Sequence, residues 1–159
     1  MSNVPAPRGW IAGIDYGTVR IGIAVADLEV KIATPLDNYN RRTPELDAEY
    51  FRRFVREERV IRFVVGLPVH LDGRESQKSR EARAFGQWLG EITSRPVVFF
   101  DARFTSSEAL QQLSQQKMTK KRRQARLDKL AAQIMLTAYL ENPERAHEDP
   151  GGLDDRGRA

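Results

Sequence analysis

The chain contains 159 residues, 40% of them hydrophobic, and its 26 basic and 22 acidic side chains give a formal net charge of +4. This composition is enough for one compact domain with an apolar core, and no apolar run is long enough to span a membrane. The absence of cysteine excludes disulfide bonds, zinc thiolate sites and cysteine nucleophiles. The N-terminal "MSNVPAPRGW" lacks the apolar centre of a signal peptide, so we expect a cytoplasmic protein.

Both ends of the chain differ in composition from its middle. Residues 1–9 and 142–159 are rich in proline, glycine and charged side chains and poor in large apolar ones, a composition typical of mobile segments. We therefore predict one folded domain over residues 10–141, between a flexible N-terminus and a flexible C-terminal tail.

The domain begins with two apolar runs. Residues 10–15 and 21–26 are predicted to form two strands of a hairpin, because Gly17 between them can adopt turn conformations that a β-branched residue cannot. A shorter third strand is predicted around residues 32–38.

Helices and strands alternate after this point. Thr43 can cap a helix and Pro44 suits its first turn, so a helix is predicted over residues 44–58. The remaining predicted elements are a strand over 60–68, a helix over 76–93, a strand ending at Asp101, a helix starting near Ser106 and a last, largely apolar helix over 127–141. This order predicts an α/β fold with a five-stranded mixed sheet whose later strands pair in parallel.

Three aspartates stand beside apolar segments. Asp15 ends the first strand, Asp101 ends the fifth, and Asp128 directly precedes the apolar part of the last helix. The carboxyl ends of parallel strands meet at one edge of a sheet, where ligands bind. Taken singly, Asp15 is typical of a turn and Asp128 of a helix cap.

A different interpretation applies if these three aspartates converge. A carboxylate cluster without histidine or cysteine favours Mg²⁺ or Mn²⁺. Two such ions, held about 3.5–4 Å apart, would stabilise the attacking water and the leaving oxygen of a phosphodiester.

The segment "KMTKKRRQAR", residues 117–126, contains only basic and neutral residues. Such a segment can bind a polyanion such as nucleic acid, because neutralising phosphates releases counterions. The alternative is a solvated loop without a ligand.

Four stretches resemble, in order, the motifs of the YqgF/RuvX family of RNase H-like nucleases. They are "GIDYGTVRIGIAVAD", "VVGLPVHLDG", "FFDARFTSSEA" and "LDKLAAQIMLTAYLE". They are similar to the family's D-x-G-x-x-x-x-G strand pair, its G-L-P-x-N-x-D-G turn, its D-E-R-x-T-S/T element and its D-x-x-A-A helix. The resemblance extends from Trp10 to Glu141.

This resemblance implies an RNase H-like sheet with helices on both faces. It also implies a nuclease that matures the 5′ end of pre-16S rRNA, with Holliday-junction resolution as the alternative. The resemblance places Asp15 and Asp128 in an acidic metal site and Asp101 at the start of the strand-five motif. We therefore predict Asp15, Asp101 and Asp128 as catalytic ligands of Mg²⁺ or Mn²⁺. The partner would be nucleic acid rather than a membrane, and the protein a monomer or homodimer. Candidate contacts to nucleic acid are Arg103, Lys117, Lys120, Lys121, Arg122, Arg123 and Arg126.

The sequence departs from the family at two positions. Ala102 stands where the family usually has glutamate, which removes one carboxylate from the expected metal site. His70 stands where the family turn usually has asparagine, and it either fills the turn or contacts a phosphate. Arg103 also has two interpretations, either a phosphate contact or a structural salt bridge.

Three other functions are compatible with parts of the pattern. A junction resolvase cuts two strands symmetrically and favours a dimer. A non-catalytic nucleic-acid-binding module would explain Ala102. Sugar and acetate kinases begin with a similar hairpin, but they pair two such domains around the nucleotide and this chain has room for one.

Overall fold

The structure is a computed structural model that describes residues 9–68, 75–101 and 120–148, with only the backbone described for residues 120–129. In these ranges the elements are β1 (Trp10–Asp15), β2 (Arg20–Asp27), β3 (Ala33–Asn40), α1 (Pro44–Glu57), β4 (Val60–Leu67), α2 (Gln77–Thr93), β5 (Val97–Asp101), α3 (Lys120–Glu141), a short 3-10 helix (Pro143–Arg145) and β6 (Ala146–His147). No helix in the described ranges is both long and apolar enough to cross a membrane.

The strands form one mixed sheet in the order β3-β2-β1-β4-β5-β6. β1 and β2 form the predicted antiparallel hairpin, and β3 continues it on the far side of β2. On its other side β1 pairs in parallel with β4, which pairs in parallel with β5. The predicted α/β fold with a mixed sheet is therefore confirmed.

The sheet has six strands where the sequence predicts five. The sixth strand, β6, pairs antiparallel with Phe99 and Phe100 of β5. It comes from the segment predicted as a flexible tail, and Ala146 packs against one of the two cores. A two-residue strand has no periodicity that a sequence pattern could show. Pairing with the edge of β5 and the packing of Ala146 stabilise it.

Helices cover both faces of the sheet, as predicted. On one face α1 and α2 contribute Phe51, Phe54, Phe85 and Leu89 to the larger core. On the other face α3 contributes its own apolar side chains to a second core, which contains Ala132, Met135, Leu136 and Tyr139.

The start of α1 follows the predicted signals. The side chain of Thr43 accepts a hydrogen bond from the backbone N–H of Leu46, and Pro44 occupies the first helical turn. Both features satisfy or remove backbone donors that a helix start leaves unpaired.

The last helix begins earlier than predicted. It starts at Lys120, not near residue 127, so Asp128 lies inside the helix and does not cap it. The predicted cationic loop is helical from residue 120 onward. Arginine, lysine, glutamine and alanine are strong helix formers and the segment has no glycine or proline, so it extends the apolar helix that follows. The helix predicted near Ser106 lies outside the described residues.

Candidate active site

Asp15 lies at the carboxyl end of β1, on the α3 side of the sheet. Its neighbours Ile14 and Tyr16 both pack in the core beneath α1 and α2. Because successive residues of a strand point to opposite faces, the side chain of Asp15 leaves β1 on the face that α3 covers. Its side chain is partly exposed, which leaves a carboxylate at the sheet edge accessible from solvent.

The packing of α3 on β1 determines where Asp128 lies. Tyr139 accepts a hydrogen bond from Arg62, which pairs with Ile11 near the start of β1. Gly13, two residues further along β1, is in close contact with Ala132 and Leu136. Residues later in β1 therefore lie beside residues earlier in α3, so the two elements run in opposite directions.

Asp128 precedes Ala132 by one helical turn, so its backbone lies on the same, sheet-facing side of α3. One turn of helix covers about 5.4 Å, and two residues of strand cover about 6.8 Å. Continuing from the contact at Gly13, the backbone of Asp128 therefore reaches the level of Asp15. The fold brings these two aspartates to the same end and the same face of the sheet.

Gly13 permits this close approach, because a Cβ atom added there would lie 2.9 Å from Cβ of Leu136 and 3.4 Å from the carbonyl oxygen of Ala132. We expect Gly13→Ala to lower the free energy of unfolding by about 1–3 kcal/mol through overpacking. Urea denaturation measures this effect.

Gly66→Ala is the matched control for this substitution. It adds the same methyl group on the same face of the neighbouring strand, but its nearest contact is the flexible side chain of Met135, at 3.2 Å. If Gly13→Ala were as stable as Gly66→Ala, the close contact would not determine the position of α3.

Asp101 lies at the same end of the sheet but in a different register. It pairs with Leu67, two residues beyond the pairing of Ile14 with Val65, and β5 is separated from β1 by β4. Adjacent strands are about 4.8 Å apart, so β1 and β5 are about 10 Å apart. Phe99 belongs to the core beneath α1 and α2, and Asp101 is in phase with Phe99. The side chains of Asp101 and Asp15 therefore leave their strands on opposite faces of the sheet. The role of Asp101 as a metal ligand stays a prediction.

A buried carboxylate lies close to this edge, in α1. Asp47 is only 1% exposed. Its Oδ1 accepts hydrogen bonds from the Tyr39 hydroxyl at 2.6 Å and from the backbone N–H of Arg42 at 2.9 Å. Burial, and then the hydrogen bond to Asp47, raise the pKa of Tyr39 above its usual value, so this hydroxyl stays protonated and donates.

Arg41 connects this buried carboxylate to the turn that follows Asp15. Its Nε lies 3.6 Å from Oδ2 of Asp47. Its Nη1 donates to the Tyr16 hydroxyl at 3.1 Å and to the Gly17 carbonyl at 3.5 Å. The guanidinium also lies 5.4 Å from the ring centres of both Tyr16 and Phe85, a favourable cation–π arrangement. Asp47 thus holds Arg41, and Arg41 holds the backbone immediately after Asp15.

The sequence did not reveal Arg41 and Asp47. Asp47 stands in the first turn of a helix, where an acidic residue is ordinary, and Arg41 is one of many arginines. Their connection to Tyr16 depends on the sheet, which places the end of β3 beside the β1–β2 turn. The backbone N–H of Arg41 donates to the carbonyl of Val19 at 2.9 Å across that contact.

The predicted nucleic-acid contacts divide into two groups. Arg103 and Lys117 lie outside the described residues, and so do the two positions that depart from the family, His70 and Ala102. The other five positions have a described backbone in the N-terminal part of α3, just before Asp128, and they are Lys120, Lys121, Arg122, Arg123 and Arg126.

Asp15 and Asp128 are oxygen donors of the type that Mg²⁺ and Mn²⁺ prefer. Among the residues whose side chains are described, no three acidic or histidine side chains form a metal cluster. Asp128 belongs to the part of α3 with only a described backbone. The donor chemistry and the backbone positions therefore fit a hard divalent cation between β1 and α3.

The chain is similar to known proteins over most of its length. A family profile described as "RuvX: Holliday junction resolvase" matches residues 9–142. A Rhodopirellula baltica protein named "Putative pre-16S rRNA nuclease" is 47% identical over 133 residues, covering 84% of this chain and 77% of the relative. A Koribacter versatilis protein with the same name is 35% identical over 150 residues, covering 94% of this chain and 98% of the relative.

The fold is also similar to a solved structure of RuvC from T. thermophilus in complex with a Holliday junction substrate. The TM-score is 0.54 at 15% sequence identity, and the match covers 88% of this chain and 98% of the RuvC chain. At this identity the likeness concerns the fold, which is RNase H-like, as the sequence motifs predict.

Proposed function

Because the chain belongs to the RuvX family, we propose that it is a divalent-metal-dependent nuclease that hydrolyses phosphodiester bonds of structured nucleic acid, with pre-16S rRNA as its substrate. One observation carries the proposal: α3 packs closely against Gly13, so we expect the backbone of Asp128 at the level of Asp15, at the carboxyl end of β1. An rRNA substrate also agrees with the cytoplasmic location expected from the sequence.

The chain's own residues have distinct roles in this proposal. Asp15 and Asp128 would hold Mg²⁺ or Mn²⁺, and the bound metal would supply Lewis-acid stabilisation of the attacking water and of the leaving oxygen. Asp101 is a further candidate ligand, although its side chain leaves the sheet on the face opposite to that of Asp15. The cations of α3 attract and orient the substrate backbone. Arg41 fixes the Tyr16–Gly17 turn, and with it the position of Asp15.

The test is a cleavage assay that offers pre-16S rRNA, single-stranded RNA and a four-way DNA junction together. Each substrate is incubated with Mn²⁺, with Mg²⁺ and with a chelator. We expect cleavage of pre-16S rRNA that requires the metal. An Asp15→Asn preparation purified in parallel detects contaminating nucleases, since it should be inactive.

Other outcomes of the same assay identify the alternatives. Preferential, symmetric cleavage of the four-way junction by a dimer would support a resolvase, the activity named in the family description. Salt-sensitive RNA binding without metal-dependent cleavage would show a non-catalytic binding module and overturn the proposal.

Ala102 provides a second test of the metal site. Ala102 stands where the RuvX family usually has glutamate, so the expected metal site has one carboxylate fewer. We expect Ala102→Glu to raise the cleavage rate and to tighten Mn²⁺ binding, measured by titration calorimetry. Ala102→Gln is the matched control, since it has the same shape without the charge. Equal rates for both variants would contradict a missing carboxylate.

A further inference from the structure

A cleft opens next to Asp15, between the β1–β2 turn and the start of α2. One wall is the β1–β2 turn, including Tyr16, Thr18 and Arg20, and the other is the start of α2, including Lys78 and Glu81. Its volume is about 540 Å³, within the range of roughly 300–1,000 Å³ found for ligand pockets. Since Tyr16 directly follows Asp15, a chain bound at Asp15 can continue into this cleft.

Both walls are held in place without a ligand. A Cβ atom on Gly17 would lie 2.3 Å from the carbonyl oxygen of Arg20, so the turn is tight and requires glycine. The Gly17 carbonyl also accepts a hydrogen bond from Arg41. On the other wall Ser76 caps α2 and donates from its hydroxyl to the carbonyl of Pro68 at 3.0 Å. The cleft is therefore preformed.

The lining of the cleft is polar and has an excess of positive charge. Arg20 and Lys78 are cationic, and Glu81 is the one acidic side chain among the lining residues. Glu81 accepts a hydrogen bond from the amide of Gln77 at 3.3 Å. Val19, 64% exposed, adds an apolar surface at the rim. Cations, neutral donors and a small apolar surface suit the phosphates and sugars of a nucleic-acid strand.

We propose that this cleft binds the phosphodiester backbone of the substrate strand next to the scissile bond, with Lys78 and Arg20 contacting phosphates. The inference rests on the proposed nuclease function, because it takes the scissile bond to lie at Asp15. It assigns the substrate path to the β1–β2 turn and α2, on the side of Asp15 away from the cations of α3.

The test measures binding of a fluorescently labelled single-stranded RNA from the pre-16S 5′ leader, in chelator, over a range of salt concentrations. Lys78→Gln is expected to lower the slope of log affinity against log salt by about 0.7, the value for one phosphate contact to a single strand. At about 0.1 M salt this corresponds to roughly fivefold weaker binding. Glu81→Gln is expected to have the opposite effect and to strengthen binding.

Two exposed charges at the opposite end of the sheet provide matched controls. Lys31→Gln and Glu29→Gln make the same substitutions near the β2–β3 turn, where Asp27 pairs with Trp10 at the start of β1. We expect neither to change the slope. Melting temperatures equal to that of the parent show that all four variants fold.

The outcomes separate the two proposals. If the parent cleaves RNA but Lys78→Gln and Glu81→Gln match their controls, the cleft is not on the substrate path and only this inference fails. If the parent shows no metal-dependent cleavage of any substrate, the proposed function itself fails.

Discussion

Asp15→Asn is expected to lower metal-dependent cleavage by at least about 10²-fold, the loss typical of removing one electrostatic stabiliser from an active site. The amide cannot supply the negative charge that holds a divalent cation, whereas its similar size leaves the end of β1 intact. Binding of RNA in chelator is expected to persist. Cleavage assays measure the first effect, and binding of a fluorescently labelled RNA in chelator measures the second. Mn²⁺ titration calorimetry measures the loss of metal binding.

Asp27→Asn is the matched control for this prediction. Asp27 also ends a strand of the same hairpin and is partly exposed, but it lies at the opposite end of the sheet. Its Oδ1 accepts a hydrogen bond from the backbone N–H of Glu29, which the amide oxygen of asparagine can replace. Equal activity of Asp15→Asn and Asp27→Asn would remove Asp15 from the catalytic site.

Asp47→Ala is expected to lower the free energy of unfolding by about 3 kcal/mol or more, the cost of breaking a buried charged pair by removing one partner. The substitution leaves the Tyr39 hydroxyl and the N–H of Arg42 without their acceptor, and it removes the carboxylate beside Arg41. Because Arg41 also holds the Tyr16–Gly17 turn, cleavage should fall together with stability. Urea denaturation gives the free energy.

Two further variants separate the contributions of Asp47. Asp47→Asn keeps an oxygen acceptor for Tyr39 and Arg42 but loses the charge that faces Arg41, so an intermediate loss of stability is expected. Glu45→Ala, an exposed position in the same helical turn, is the control. If Asp47→Ala and Glu45→Ala differed by less than about 0.5 kcal/mol, the usual effect of a surface substitution, the buried network would not stabilise the fold.

The order of strands and helices could be predicted because its signals are local. The hairpin appears as two apolar runs with Gly17 between them, and the start of α1 appears as Thr43 followed by Pro44. Each signal lies within a few residues of the structure that it specifies. The motifs then add the chain's resemblance to a family, and with it the candidate carboxylates.

The differences arise where the deciding contact is distant in sequence. The basic residues before Asp128 indicated a loop, but they continue a helix whose apolar part packs on the sheet. The face of the sheet on which the side chain of Asp101 leaves β5 depends on the register between β4 and β5. The connection from Asp47 through Arg41 to Tyr16 joins three segments that only the folded sheet brings together. No local pattern encodes such contacts.

The continuous helix from Lys120 to Glu141 has an energetic consequence for substrate binding. A loop that becomes ordered on its ligand loses backbone entropy worth about 1–2 kcal/mol per residue, and that cost weakens the complex. Residues 120–126 are already helical without a ligand, so folding of the domain meets this cost before RNA arrives. Under the proposed function, the attraction between this segment and phosphates then contributes fully to the affinity for RNA, because no entropy of loop ordering is subtracted from it.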